Sequence, residues 1–144
     1  MMKKILIFLI LIVSVFKFGY CEEQKLTYER LIHSIAYVES KHNPKMVSRN
    51  KTYVGYLQIS KICVREANNI VGYKKYTYDD RYDKNKSIEI FHIIQQKHNP
   101  TQNINLAIRL WNEGLVAKKQ KYKETPYVKK VLNLYNTIYS HMEE

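Results

Sequence analysis

Residues 31–44 read Leu31-Ile32-His33-Ser34-Ile35-Ala36-Tyr37-Val38-Glu39-Ser40-Lys41-His42-Asn43-Pro44. Ile32, Ile35 and Glu39 stand three and four positions apart, the spacing that gathers residues on one side of an α-helix. Leu31 joins the same apolar stripe, and Thr27 is placed to cap its start. Asn43-Pro44 stops the helix, because a residue before proline avoids the helical region. The pattern predicts a helix over about 27–41 with a single carboxylate on its apolar side. Burial there disfavours the charged form, and the partial negative charge at the end of the helix pushes the same way. Both effects favour a protonated Glu39, the state a general acid needs. Periodicity alone equally allows a half-exposed glutamate paired with Lys41 or Arg49.

Helical periodicity continues outward from this stretch. A second helix is expected over about 58–69, with Ile59, Ile62, Cys63, Ala67 and Ile70 at helical spacing. A third starts near Ser87, buries Ile88, Phe91 and Ile94, and ends by Asn99-Pro100. A fourth starts near Gln102 or Asn103, carries Ile104, Ala107, Ile108 and Trp111, and can end on Gly114 as a left-handed cap. The fifth begins at Thr125-Pro126, a cap followed by proline in the first helical position. Its stripe is Val128, Val131, Leu132, Tyr135 and Ile138. Residues 44–57 and 71–86 break the pattern and read as loops, the first with room for a minimal β-hairpin. Long loops in a small domain tend to carry function.

The N-terminus does not belong to this pattern. Met1-Met2-Lys3-Lys4 is basic, Ile5 to Phe16 is almost unbroken apolar sequence, and Gly19-Tyr20-Cys21 precedes charged Glu22-Glu23. This is the layout of a secretory signal peptide over residues 1–21, with the domain in 22–144 and export to the periplasm or medium as the expectation. A retained anchor is the alternative, but the apolar run falls short of the roughly 20 residues a spanning helix needs. Lipid attachment at Cys21 is disfavoured by the bulk of Tyr20. Only Cys63 then remains. One cysteine cannot form an internal bridge, and its apolar neighbours mark it as packing rather than nucleophile.

The formal charge is +11, and loss of Lys3, Lys4 and Lys17 with the leader takes it to +8. So positive a chain favours polyanionic partners, among them cell-wall polymer, lipid headgroups and nucleic acid. Thirteen tyrosines supply rings that stack on sugars and bases alike. The lysines are scattered and form no recognised nucleic-acid motif, so no nucleic-acid partner is expected; peripheral association with an anionic envelope is. His33, His42, His92, His98 and His141 are dispersed, and neither a metal site nor a cofactor is expected.

Three groups of residues carry a resemblance. Glu39-Ser40 is followed by Asn43-Pro44, Ser48 and Val54-Gly55-Tyr56-Leu57-Gln58-Ile59. Leu106-Ala107-Ile108-Arg109-Leu110-Trp111-Asn112-Glu113-Gly114 comes later, then Thr125-Pro126-Tyr127-Val128-Lys129-Lys130-Val131. In this order and spacing they resemble the soluble lytic transglycosylase family of the lysozyme superfamily, over about residues 26–135. The resemblance implies an all-α fold, α+β lysozyme-like at most, of five to six helices around a catalytic cleft. It implies a monomer acting on peptidoglycan glycan strands. Glu39 matches the acid/base, and Ser48, Gly55, Tyr56, Gln58, Trp111, Asn112 and Tyr127 match substrate-binding positions. Trp111 stands where the family usually has tyrosine, so a hydrogen bond from that hydroxyl is lost. Tyr56-Leu57 replaces the usual Leu-Met.

The implied reaction uses one carboxylate, whereas ordinary glycosidases divide the work between two. A hydrolytic muramidase would need a second acid, and Asp79, Asp80 and Asp83 are the candidates. Otherwise these are a solvated loop paired with Arg81, Lys84 and Lys86. A wall-binding module without activity and a secreted nucleic-acid-binding protein are the remaining alternatives.

Overall fold

The computed structural model describes residues 27–122 and 124–140. The expected leader, residues 1–21, lies outside them. The chain falls into two units, Met1–Arg30 and Leu31–Glu144. Of the first only 27–30 is described, as helix.

Five α-helices account for most of the described residues: α1 over 27–40, α2 Lys61–Val71, α3 Lys84–His98, α4 Ile104–Glu113 and α5 Pro126–Ser140. Two short 3-10 turns, Asp79–Tyr82 and Gly114–Lys118, lie between them. Among the described residues there is no named strand, and no helix is long and apolar enough to cross a membrane.

Thr27 is already helical, so the start of α1 is not the Thr27 cap that the sequence suggested. Its end comes at 40, before Asn43-Pro44. Lys41 and His42 both take positive φ, +54° and +64°, and their N–H groups return to the carbonyls of Tyr37 and Ala36. Asn43 then turns the chain by accepting from the Lys45 N–H through its side chain.

The loop that follows holds a minimal β element. Val54 bridges antiparallel to Val47 on one side and to Ile59 on the other. The second bridge takes up Ile59, with Gln58 in the turn before it, which corrects the expected start of α2. Ser60 caps α2 three residues later, accepting from the Cys63 N–H at 3.2 Å. The shift turns the helix face: Ile62 is 67% exposed, and Val64 joins Ala67 in the core. Gly72 closes α2 in the left-handed conformation.

Asp83 caps α3 by accepting from the Lys86 N–H, which opens that helix earlier than its apolar run indicated. Ile90 joins Phe91 and Ile94 in the core, and Ile88 is only half-buried. Asn103 caps α4. Gly114 ends it at φ +70°, ψ −157°, so it turns the chain into the 3-10 segment and does not form the left-handed helical cap expected there. Thr125 accepts from the Val128 N–H to open α5 as expected.

α2 packs on α3, and α4 packs on α3 and α5. Leu31, Ile35, Leu57, Ile59, Ile90, Phe91, Ile108, Val128 and Val131 are wholly buried. Each such aliphatic or aromatic side chain contributes about 1.5–3 kcal/mol on leaving water. A polar clamp joins α3 to α4. Gln95 donates to the Ala107 carbonyl, while Asn99 donates to the Asn103 carbonyl and accepts from its N–H. Buried amides matched in this way fix orientation, since each would be costly unpaired.

Candidate active site

Glu39 occupies the last turn of α1. Ile32, Ile35 and Ala36 of the same stripe are buried, and Glu39 is half-buried beside them. Burial raises its carboxyl above the ordinary glutamate range, and a hydrogen bond from Tyr127 pulls it down without cancelling the rise. Removing an anion from water costs more than one neutral donor returns.

Tyr127 stands in the first turn of α5. Its neighbours Val128 and Val131 are wholly buried and anchor that turn. The phenol donates to Glu39 Oε1 at 2.6 Å. Burial, then the charge of Glu39 and the bond itself, push the phenol far above its usual range. Tyr127 therefore keeps its proton and remains a donor whether Glu39 is charged or neutral.

The next residue, Ser40, is buried and donates to the Tyr56 carbonyl at 2.7 Å. Trp111 donates from its indole Nε1 to the Leu57 carbonyl at 3.1 Å and packs on the Phe91 ring, centroids 5.0 Å apart. Thus α1 and α4 hold adjacent peptides of one loop. The indole supplies a donor of its own where the sequence left only a missing hydroxyl.

The other site candidates take separate places. Tyr56 is buried, and its hydroxyl lies 3.3 Å from His42 Nδ1. Burial raises its phenol as well. Gly55 has φ +82°, and a Cβ there would lie 1.8 Å from the Arg81 carbonyl oxygen. Its small size thus serves a close backbone approach within the protein. Gln58, at φ +49°, donates from Nε2 to the Gly55 and Met46 carbonyls and ties the loop to itself. Ser48 donates to Asn50 Oδ1 and accepts from the Tyr53 N–H. Asn112 is exposed.

Two of the acids of the middle loop, Asp80 and Asp83, hold structure. Asp80 accepts from the Thr77 N–H and pairs with Lys86 at 2.7 Å. The Lys86 and Thr77 bonds hold its carboxyl below the usual range. Asp83 is the cap of α3. Arg81 is buried, in place of the surface ion pair expected of it, and donates to the Tyr78 and Ile59 carbonyls at 2.6 and 3.3 Å. The sequence did not single out Ser40 or Arg81 as positioning residues. Ser40 stood inside the Glu-Ser motif, but a short polar run around Arg81 carries no sign of burial. Among the described residues, no group of three or more His, Cys, Asp or Glu side chains is placed to hold a metal ion. The Cys63 thiol is pushed up by burial, which makes it a poor nucleophile.

A mostly helical domain whose helix-end glutamate is half-buried, raised in pKa by that burial and bonded to a phenol from a distant helix has the build of a lysozyme-like fold. The transglycosylase SLT domain family matches residues 18–140, and the chain belongs to that family. Members of the family are lytic transglycosylases of peptidoglycan. No curated protein and no solved structure matches the chain.

Proposed function

We propose that this chain is an exported lytic transglycosylase that cleaves the β-1,4 bond between N-acetylmuramic acid and N-acetylglucosamine, with Glu39 as its single acid/base. The observation that carries the proposal is the half-buried Glu39 carboxyl, raised in pKa and bonded to Tyr127 at 2.6 Å. One carboxyl oxygen is committed to Tyr127, which leaves the other to carry the transferable proton.

In the first step Glu39 gives that proton to the glycosidic oxygen. The bond from that oxygen to the anomeric carbon breaks, and the N-acetylglucosamine hydroxyl leaves. Positive charge at the anomeric carbon is steadied by the substrate's own N-acetyl group. Glu39 is now a carboxylate, and the Tyr127 bond strengthens because its acceptor is charged. In the second step Glu39 takes the proton from the muramic acid C6 hydroxyl as that oxygen bonds to the anomeric carbon. A 1,6-anhydro end forms, no water is consumed, and Glu39 returns to its acid form. Acid and base assistance of this kind contributes roughly 10²–10⁴-fold to rate.

The structural work of Asp80 and Asp83 counts against either as the second acid of a hydrolase, and exposed Asp79 is the candidate left for that reading. Both already serve the loop and the α3 cap, so neither is spare to activate water. Mass spectrometry of digested sacculi tests the assignment. Fragments lighter by one water are expected, and reducing ends would make the chain a hydrolase.

A further inference from the structure

A cavity of about 590 Å³ lies between α2 and the loop that follows it, and neither Glu39 nor Tyr127 is in its lining. Lys61 and Arg65 stand four apart on one face of α2, and Lys74 and Arg81 come from the loop. Four cations thus meet one carboxylate, Asp79. Among the described residues, Lys61, Arg65 and Lys74 have no ion-pair partner, and all three are exposed.

The walls are built. Asn68, also in the lining, accepts from the Tyr76 N–H and donates to the Tyr76 carbonyl, both at 2.8 Å. This pair fixes the loop against the helix. Arg81 staples the loop again through the Tyr78 carbonyl. Tyr78 is 41% exposed, and the Lys61 ammonium lies 5.1 Å from the centre of its ring. The cavity therefore offers cations without ion-pair partners beside a part-exposed aromatic ring, on a frame held by the Asn68 and Arg81 bonds.

We propose that this cavity binds the phosphate monoester of a sugar or polyol. Like charges held together repel, and a dianionic group with three acceptor oxygens relieves that repulsion better than a single carboxylate. Arg65 can meet two of those oxygens with its fork, and Lys61 and Lys74 act as point charges. Tyr78 takes the carbon face of the sugar. The site is independent of Glu39.

The test is an NMR titration of the full chain, with glucose 1-phosphate, inorganic phosphate, glucose and a short single-stranded oligonucleotide as separate probes. Saturable shifts at 61–68 and 74–79 are expected with glucose 1-phosphate. Inorganic phosphate should bind more weakly, and glucose should not bind. The K61Q/R65Q variant should lose at least tenfold in affinity yet still release muropeptides, and E39Q should bind like wild type. Overturning outcomes are no saturation in the millimolar range, equal binding by K61Q/R65Q, or inorganic phosphate binding as tightly as the ester. Tighter binding of the oligonucleotide at the same residues would also overturn the proposal and assign the cavity to nucleic acid.

Discussion

Tyr127 and Glu39, 88 residues apart in sequence, meet through a 2.6 Å hydrogen bond from phenol to carboxyl. The bond joins the end of α1 to the start of α5 and sets the orientation of a carboxyl whose pKa burial raises. In Tyr127→Phe the donor goes and burial remains. The Glu39 pKa then rises further, because the lost bond was the influence lowering it. The basic limb of the kcat/KM profile should move to higher pH. Activity should fall about 10- to 100-fold, from the roughly 1.5–3 kcal/mol carried by a hydrogen bond to a charged group. An unmoved basic limb would mean that Tyr127 does not act on Glu39.

Stability should also report on Glu39. Its folded-state pKa lies above its unfolded value, so the folded protein holds this proton more tightly. Stability from this group is complete below the unfolded glutamate pKa and is lost as pH rises through the folded one. Glu39→Gln has no such loss. The Tm of the variant relative to wild type should therefore be higher at pH 8 than at pH 4. A difference constant with pH would show that Glu39 is not desolvated.

Gly55→Ala should destabilise by at least about 2 kcal/mol. The left-handed backbone alone costs an alanine roughly 1–2 kcal/mol, and the new methyl meets the Arg81 carbonyl. Urea unfolding measures this. A neutral substitution would contradict the packing of the 44–60 loop against residue 81.

Trp111→Phe keeps the ring on Phe91 and removes the donor to the Leu57 carbonyl. A loss of about 1–3 kcal/mol is expected, the cost of leaving a buried acceptor unpaired. Trp111→Leu should lose more, as the ring contact goes too. Equal stability of the Phe variant and wild type would remove the indole bond from the account.

The helices were legible because their stop and start signals are local. Asn43-Pro44, Asn103 and Thr125-Pro126 act within a turn of where they stand. The errors fell where a distant partner decides. Gln58 and Ile59 looked helical, but bridging to Val54 drew them into the loop, and Ile62 then turned to solvent. Arg81 read as a surface charge and is held inside by carbonyls of Tyr78 and Ile59. Glu39 was legible as a candidate from its helix stripe together with the Glu-Ser motif. Its grip by Tyr127 was not, since no local pattern spans 88 residues. The positioning role of Ser40 was hidden for the same reason: its partner, the Tyr56 carbonyl, lies across the loop.

The most direct test of the central claim is muropeptide release from purified sacculi by wild type and by Glu39→Gln, with circular dichroism to show that both fold. Anhydro-ended fragments should appear with wild type and be absent with the variant. Release by a folded Glu39→Gln at a rate near wild type would contradict the account, because the proton would then come from another group.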